Sequence, residues 1–435
     1  MRKPAVQQTY AGRGWISMQR DVLVLGAGIQ GSLAALMMAQ RGRRVTLVDR
    51  AEAMLSKASL NYEGRIHSGM LYAMDASFRT AERMVQDALA FAPTVERLLG
   101  QTPDWAGLRA KASTYLVHRD SHLSPEDLAR FWARLEGAFL EGLRDQRVTY
   151  VGTRPDRLFR PTELPRTVNS DAIVSAFESA EVCLDQQRLN ALIEAAVRAH
   201  PRIELALGRD VLAIEPKGAE AMSVSLRATD GMMTTCTAGL VVNCLWEARG
   251  LFDAAMGLEV AAEESLRLKY SVVVESNDVL RDIGSIVVTH GAFGSMVVPP
   301  VGPHAFLSWY PSCIEERLPL QPLPARWRAL QAGPVEQAVA QRVLEDNVAG
   351  FRTVFPTFPM PNLRLVKAGV IVAQGDTDID QAKSGFHRRD EYPIRQKGSY
   401  VSVATGKYTS VGRNVCLLEE AVFGLEASAP AVLMA

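Results

Sequence analysis

The sequence contains few cysteines and no long apolar run. Its five cysteines are scattered along 435 residues, and no two of them form a CxxC pair. This argues against a disulfide framework or a cysteine zinc site and is typical of a reducing compartment. No stretch reaches the roughly 18 uninterrupted apolar residues that span a bilayer. We therefore expect a cytoplasmic protein without a membrane-spanning helix.

The sequence also carries no net charge. Its 48 basic and 48 acidic residues cancel, so no overall field attracts nucleic acid to the protein. The sequence leaves open a peripheral contact with a membrane, because an apolar docking surface would not be visible in the net charge. Residues 1–19 have no apolar run of the kind found in signal peptides. They are predicted to form a disordered tail, with Met18 as an alternative start.

Residues 20–49 carry the clearest pattern in the chain. A short β-branched run at residues 22–25 predicts a buried parallel strand, and apolar residues at helical spacing follow it. A second strand is predicted at residues 44–48. The turn between the first strand and the helix reads Gly-Ala-Gly-Ile-Gln-Gly, which is the GxGxxG arrangement of a dinucleotide-binding βαβ unit.

Each glycine of this turn has a physical role in such a unit. Gly26 permits the tight turn, Gly28 lets the backbone approach a pyrophosphate, and Gly31 allows the helix to pack closely on the strand. The phosphates then lie against free N–H groups at the positive end of the helix dipole. Asp49, at the end of the second strand, is suited to a ribose diol. The predicted nucleotide contacts also include Gln30 and Arg50.

The βαβ pattern alone does not separate FAD from NAD. Two features favour FAD as the cofactor. The unit is N-terminal in a long chain whose later segments are predicted to rejoin it, and no second GxGxxG exists for a separate nicotinamide.

The remaining pattern predicts an α/β fold in which a Rossmann-like FAD-binding domain carries an inserted antiparallel-sheet substrate domain. Short β-rich runs between Gly and Pro turns at residues 263–312 predict the antiparallel sheet. Helices are predicted at residues 78–100, 124–143, 187–200, 335–349 and 409–425, and later strands at 181–184, 364–373 and 399–404. The FAD-binding domain is assigned to residues 20–75, 181–257 and 364–427, and the substrate or cap domain to residues 76–180 and 258–363.

Residues 56–72, SKASLNYEGRIHSGMLY, resemble a segment of the D-amino-acid-oxidase-like FAD superfamily. The resemblance is closest to its glycerol-3-phosphate and L-2-hydroxyglutarate dehydrogenase branches, where Ser-x-x-Asn-x-Gly-x-Ile-His-x-Gly runs along the flavin. The pattern is carried here, with the serine-to-asparagine spacing different by one residue, by Ser59, Asn61, Gly64, Ile66, His67 and Gly69. The resemblance implies that this segment contacts FAD and that His67 lies beside the flavin ring.

A second match lies near the C-terminus. Residues 402–409, SVATGKYT, resemble the Gly-Gly-Lys-x-Thr-Thr turn that opens the last helix of these proteins toward the flavin. Gly406, Lys407, Tyr408 and Thr409 in this turn are predicted to contact the cofactor. Val211, earlier in the chain, is a further predicted cofactor contact. Arg389 and Asp390 resemble an Arg-Asp pair near the substrate.

This chain departs from the family pattern at two turns. Residues 241–246 read VVNCLW where the family has Val-Asn-Ala-x-Gly, so a glycine is missing. Thr405 replaces the first glycine of the C-terminal turn. We therefore expect a distant branch with its own substrate.

The resemblance implies hydride transfer from a substrate C–H bond to flavin N5. Lys407 and the helix N-terminus at Thr409 are suited to the negative charge that results, with an exposed turn at Gly406 and Lys407 as the alternative. His67 is the candidate proton acceptor, although it could instead hydrogen-bond the flavin, bear it covalently, or be a core histidine. Arg389 suits a substrate carboxylate or phosphate, with a solvated loop as the alternative.

The sequence thus predicts an FAD-dependent dehydrogenase or oxidase that acts on a small, anionic hydroxy compound. An amine or amino-acid oxidase of the same fold is the main alternative. A flavin monooxygenase and a non-catalytic dinucleotide-binding protein are weaker ones. The electron acceptor is left open among oxygen, a quinone and a carrier protein.

Overall fold

The computed structural model describes residues 19–261, 264–299, 302–375, 377–381, 388 and 391–424. Within these residues the chain forms two large β-sheets with helices on their faces, which confirms the predicted α/β class. The first sheet contains β1 Gln19–Leu25, β2 Val45–Val48, β6 Ile203–Ala206, β7 Arg209–Pro216, β8 Met222–Ala228, β9 Met233–Asn243, β16 Ile394–Lys397 and β17 Tyr400–Val403. The second sheet contains β3 Thr114–His118, β4 Phe159–Thr162, β5 Ile173–Ser179, β10 Glu264–Glu275, β11 Ile286–Thr289, β12 Gly294–Val297, β13 His304–Trp309, β14 Ile314–Pro319 and β15 Leu363–Gln374.

The helices connect and cover these sheets. They are α1 Ile29–Gln40, α2 Arg79–Leu99, α3 Trp105–Leu108, α4 Pro125–Gly142, α5 Gln186–Ala199, α6 Arg249–Ala255, α7 Asp278–Ile283, α8 Tyr310–Cys313, α9 Ala325–Ala332, α10 Gln337–Val354 and α11 Val411–Phe423. Helix α4 begins as its sequence predicts, because Ser124 accepts a hydrogen bond from the Asp127 N–H and Pro125 opens the helix. None of the helices in the described part of the chain is both long and apolar enough to cross a membrane.

The first sheet is built on parallel pairing at its centre. Strand β1 pairs in parallel with β2 on one side and with β9 on the other. Residues 22–25 are fully buried because the sheet is covered on both faces. Helix α1 is buried from Ile29 to Ala39 and packs against α5 and α11, which explains why almost all of its residues are apolar or small.

The second sheet is mostly antiparallel and has β10 as its long central strand. Alternate β10 residues Leu266, Leu268, Tyr270 and Val272 join an apolar core with the buried face of α10. The residues between them are polar, and Arg267, Lys269 and Ser271 are nevertheless buried. The face of β10 opposite the apolar core is therefore turned toward other protein groups rather than toward solvent.

Two predicted elements differ in the structure. The strand predicted at residues 364–373 forms as β15, but it pairs with β10 in the second sheet and not with the FAD-binding part to which we assigned it. Its alternate residues Val366, Ala368 and Val370 are buried in the apolar core of that sheet, which fixes this pairing. The rest of the predicted domain division stays a prediction.

The strand predicted at residues 181–184 does not form. Only two isolated bridges occur there, between Cys183 and Arg65 and between Leu184 and Arg109. The segment lies between two loops and shares its backbone hydrogen bonds with both, so it cannot join a continuous ladder. At the C-terminus, a short 3-10 turn at Tyr408–Ser410 precedes α11.

A buried polar network joins β9, α6 and β17. The Asn243 amide donates to the Tyr400 hydroxyl oxygen over 2.6 Å, and that hydroxyl donates to Asp253 over 2.7 Å. Ser402 donates to the other Asp253 oxygen over 2.7 Å, and Arg249 forms an ion pair with the same carboxylate. The carboxylate of Asp253 is therefore buried with several partners, which offsets the cost of removing it from water.

Replacing Tyr400 with phenylalanine tests this network. We expect Tyr400→Phe to lower the free energy of unfolding by about 1–3 kcal/mol, because a buried carboxylate and a buried amide each lose a partner. Urea denaturation measures the change. The matched control is Tyr392→Phe, since Tyr392 is 58% exposed, and it should change stability by less than about 0.5 kcal/mol. Equal stability of the two variants would contradict the stabilising role of the network.

Candidate functional site

The glycine turn after β1 has no room for side chains at two positions. Gly26 has a φ of +99°, and a Cβ atom there would lie 2.5 Å from the Cys244 carbonyl oxygen. A Cβ atom on Gly31 would lie 1.8 Å from the Gly26 carbonyl oxygen. The first turn of α1 therefore packs directly on the end of β1, and this close approach depends on glycine at both positions.

Asp49 holds the same turn from the neighbouring strand. One carboxylate oxygen accepts from the Ala27 N–H and the other from the Ala51 N–H, both over 2.7 Å. Burial raises the pKa of the Asp49 carboxyl, while these two hydrogen bonds act in the opposite direction. Asp49, which is predicted to bind the ribose, thus has a structural role as well, because it fixes the turn that precedes α1.

The beginning of α1 is open at Gly28. A Cβ atom at Gly28 would meet only the Ser59 hydroxyl, at 3.2 Å. Ser59 accepts from the Ile29 N–H over 2.8 Å, so it partners one of the N–H groups that a helix leaves unpaired at its start. The amide nitrogen of Gln30 is buried and has no hydrogen-bond partner among the described residues.

One cavity of about 790 Å³ connects most of the predicted site residues. This volume is within the range of roughly 300–1,000 Å³ that is typical of ligand and cofactor sites. The predicted residues that line it are Gly26, Gly28, Gln30, Asp49, Arg50, Ser59, Gly64, His67, Val211, Gly406, Lys407 and Tyr408. These residues come from four separate parts of the chain, and the fold brings them to one continuous space.

Three predicted residues do not line this cavity. Gly31 lies behind the glycine turn, and the Thr409 hydroxyl is fully buried. The Asn61 side chain donates to the Ala368 carbonyl oxygen over 2.8 Å and lines a different cavity, between β15 and helices α9 and α10. Asn61 therefore fastens the predicted flavin loop to the second sheet. Arg389 and the adjoining Asp390 lie outside the described residues.

The predicted N-terminal and C-terminal motifs are in direct contact. The His67 N–H donates to the Thr409 hydroxyl oxygen over 2.8 Å, and that hydroxyl donates to the Arg65 carbonyl oxygen over 3.3 Å. The His67 ring lies edge-on to Tyr72, with 5.7 Å between ring centroids. Thr409 thus joins the loop that carries His67 to the start of the last helix.

The C-terminal turn is itself tightly shaped. Gly406 has a φ of +72°, a conformation that suits glycine, and the Lys407 N–H donates to the Thr405 carbonyl oxygen over 2.8 Å. The Asn414 amide, on α11, donates to the Gln30 side-chain oxygen over 3.1 Å. The last helix therefore completes the site that the first glycine turn begins.

The missing glycine at residues 241–246 has a visible consequence. Trp246, at the position where the pattern has glycine, adopts a φ of +50°. A positive φ is unfavourable for a bulky residue and costs roughly 1–2 kcal/mol. The Trp246 indole N–H donates to the Val370 carbonyl oxygen over 2.8 Å, which connects this turn to β15.

The structure adds a cationic and an acidic residue that our sequence reasoning missed. Lys269 and Glu63 line the cavity, with 3.6 Å between the Lys269 Nζ and the Glu63 Oε1. Burial alone would raise the pKa of Glu63, but the Lys269 ammonium and the Arg65 guanidinium lower it below its ordinary value. The sequence held a signal for Glu63, because this residue lies within the segment at residues 56–72 that resembles the family. It held a weaker one for Lys269, which lies on the polar face of a strand with alternating apolar and polar residues.

Tyr62 lies beside this charged pair. The Lys269 Nζ is 5.7 Å from the centroid of the Tyr62 ring. The Tyr62 hydroxyl is buried and has no hydrogen-bond partner among the described residues, and burial raises its pKa well above the ordinary value. It therefore stays protonated and keeps its ability to donate a hydrogen bond.

The chain is similar to known proteins in sequence profile and in fold. The profile of the DAO family, described as FAD dependent oxidoreductase, matches residues 21–387. Glycine oxidase from Geobacillus kaustophilus is similar with a TM-score of 0.64 and 15% identity, over 95% of this chain and 96% of that chain. L-proline dehydrogenase from P. horikoshii gives a TM-score of 0.62 and 12% identity, over 95% and 96% of the two chains.

A third similar structure is named for a glycerophosphate, whereas the first two are named for amino acids. L-alpha-glycerophosphate oxidase from Mycoplasma pneumoniae, with FAD bound, gives a TM-score of 0.59 and 14% identity, over 92% of this chain and 93% of that chain. No curated protein sequence matches the chain. At these identities the solved structures establish a shared fold and do not identify a substrate.

The close approach of α1 to β1 can be tested with Gly31→Ala. A Cβ atom at this position would overlap the Gly26 carbonyl oxygen, so the turn must move. We expect the dissociation constant for FAD, measured by quenching of flavin fluorescence, to rise at least about 10-fold, because misplacement of positioning groups weakens function steeply.

The matched control is Gly137→Ala on α4. Gly137 is exposed, and a Cβ atom there would meet nothing within 4 Å. This change should leave FAD binding intact and should stabilise the helix by up to about 1 kcal/mol. Unchanged FAD binding in Gly31→Ala would show that the cofactor does not depend on this turn.

Proposed function

The chain belongs to the DAO family of FAD-dependent oxidoreductases, and from this membership we propose that it oxidises a small, anionic hydroxy compound. One observation carries the proposal. A single cavity is lined by the glycine turn, by His67 and by Lys269. A group that can bind the cofactor, a group that can accept a proton and a group that can bind an anion therefore border the same space.

The residues of the cavity fit FAD. Gly28 leaves the beginning of α1 without a side chain, and the unpartnered Gln30 amide nitrogen is a hydrogen-bond donor at the same end. These groups suit a pyrophosphate, which helix N-termini bind through backbone N–H groups. Lys407 follows the Gly406 turn and offers positive charge to the other end of the cofactor. FAD, when bound, accepts the hydride that leaves the substrate carbon.

His67 is the proposed acceptor of the substrate hydroxyl proton. Imidazole titrates near neutral pH and is therefore suited to general-base catalysis. Its backbone is fixed by Thr409, and the residue lines the cavity. A fixed backbone limits the positions that the ring can take, which favours proton transfer at one place.

Lys269 and Tyr62 are the proposed anion-binding groups. The Lys269 ammonium has three N–H donors, and Glu63 at 3.6 Å can occupy only part of this capacity. The Tyr62 hydroxyl, which is buried without a partner among the described residues, is the proposed second, neutral donor beside Lys269. A carboxylate or phosphate on the substrate would therefore find two donors on the wall formed by the second sheet and the flavin loop.

One observation favours the second candidate, oxidation of an amine or amino acid. Glu63 carries an ionised carboxylate beside Lys269. A substrate with both an ammonium and a carboxylate would be complementary to this pair. The two candidates differ in their need for a base, because a deprotonated amine can lose a hydride without further proton removal.

The location and the electron acceptor also remain proposals. All five cysteines are free and buried, which supports the expected cytoplasmic location. Oxygen, a quinone and a carrier protein stay open as acceptors. Production of hydrogen peroxide during turnover would identify an oxidase.

The role of His67 is tested with His67→Ala. We expect anaerobic flavin reduction by a hydroxy substrate to slow by about 10²–10⁴-fold, because the hydroxyl proton loses its acceptor. Stopped-flow absorbance measures the rate, and amine substrates are compared in the same assay. His304→Ala, outside the cavity, is the control and should reduce its flavin at the wild-type rate. Equal loss for hydroxy and amine substrates would contradict the proposed base.

The role of Lys269 is tested with Lys269→Met, which keeps the length of the side chain. We expect kcat/KM for an anionic substrate to fall by about 10–100-fold, the effect of losing a hydrogen bond to a charged group. A neutral substrate of similar size should lose much less. The control is Lys367→Met on the adjacent strand β15, because Lys367 donates to the Leu60 carbonyl oxygen and does not line this cavity. Similar losses for both substrates would exclude anion recognition by Lys269.

A further inference from the structure

A buried group of polar side chains lies beneath the loop that carries His67. Its centre is Glu181, whose side chain is fully buried. One Glu181 oxygen accepts from the Ser68 N–H over 2.8 Å and from the Ser68 hydroxyl over 2.9 Å. The other oxygen accepts from the Tyr115 hydroxyl over 2.6 Å and faces Arg65 at 3.4 Å. Both oxygens of the carboxylate thus accept hydrogen bonds. One of them accepts only from Ser68, the residue that follows His67.

The backbone on both sides of His67 is fixed as well. Ile66 donates its N–H to the Val182 carbonyl oxygen over 3.0 Å. The Ile66 carbonyl oxygen accepts from the Tyr150 hydroxyl over 2.5 Å, and Thr409 accepts from the His67 N–H. The loop therefore has partners for its backbone before, at and after His67, and Glu181 supplies the last of them.

The charges of this group are balanced within the protein. Glu181 is paired with Arg65, whose guanidinium also donates to the Ser113 hydroxyl over 2.8 Å. Burial raises the pKa of Tyr115 well above its ordinary value, and the negative charge of Glu181 raises it further. Tyr115 therefore stays protonated and donates to Glu181 across the neutral pH range. Taking such a pair out of water is costly, and its attraction and hydrogen bonds offset this cost.

We infer that Glu181 is a positioning residue, which holds the His67 imidazole at the cavity through its two hydrogen bonds to Ser68. Glu181 does not line the cavity itself, so it acts on the reaction only through the loop. The inference rests on the proposed function of His67 as a base. It assigns the buried carboxylate a task in catalysis that differs from holding the cofactor.

The test uses Glu181→Gln and Ser68→Ala in the full-length holoenzyme. Glutamine keeps one acceptor oxygen but removes the charge, whereas Ser68→Ala removes one hydrogen bond and leaves the Glu181–Arg65 ion pair intact. We expect anaerobic flavin reduction to slow by about 10–100-fold in Glu181→Gln and by a smaller factor in Ser68→Ala. The dissociation constant for FAD should stay within about threefold of wild type in both, because misplacing His67 does not remove a cofactor contact.

A double-mutant cycle separates positioning from general stability. If Glu181 acts through His67, Glu181→Gln should slow the His67→Ala enzyme by less than about threefold, because residues that act as a unit are not additive. The same large loss in both backgrounds would overturn the inference and leave Glu181 a structural role only. Ser68→Ala keeps the inference testable if Glu181→Gln does not fold.

A second readout requires no substrate. The protein has seven histidines, and NMR of histidine labelled with 15N can follow their titration, with His67→Ala identifying the His67 signal. We expect Ser68→Ala to shift the His67 titration midpoint and to leave the other midpoints unchanged. Since this variant keeps every charge, an unchanged His67 midpoint would overturn the positioning role. Failure of all hydroxy substrates to reduce the wild-type flavin would instead overturn the proposed function.

Discussion

The contact between the first turn of α1 and the end of β1 sets the position of everything else in the site. It requires glycine at both ends of the turn, since a side chain on Gly31 would overlap the Gly26 carbonyl oxygen. Asp49 then fixes the turn from β2 through the Ala27 N–H. With α1 held in this way, its start faces a cavity rather than a neighbouring element, which is the condition for binding a phosphate group at a helix N-terminus.

Single hydrogen bonds join segments of the site that lie far apart in the sequence. Thr409 connects the last helix to the loop of His67, and Asn414 connects the same helix to Gln30. On the other side, Asn61 donates to the Ala368 carbonyl oxygen and Trp246 to the Val370 carbonyl oxygen, both on β15. The loop predicted to contact the flavin is thereby held between the last helix and the second sheet.

The part of the site that could be predicted from sequence is the part encoded by local backbone geometry. Glycine turns such as that of Gly26 leave a pattern that is independent of the rest of the fold. Lys269 could not be found in this way, because an alternating strand with charged residues ordinarily has its polar face in water. Only the packing of the loop with Tyr62 and Glu63 against this face of β10 shows that Lys269 is buried. The hydrogen bonds of Glu181 likewise join residues far apart in sequence, which no local pattern records.

The participation in one cavity of segments far apart in the chain has a consequence for biosynthesis. The glycine turn is synthesised long before the turn of Gly406 and Lys407 and the helix after it. Since chains are synthesised from the N-terminus at about 5–20 residues per second, an incomplete cavity would exist for tens of seconds while translation continues. During that interval the nascent chain has its nucleotide turn but not the last helix that supports Gln30 and His67. Capture of the cofactor is therefore expected to follow synthesis of α11, and folding intermediates would have to remain soluble without it.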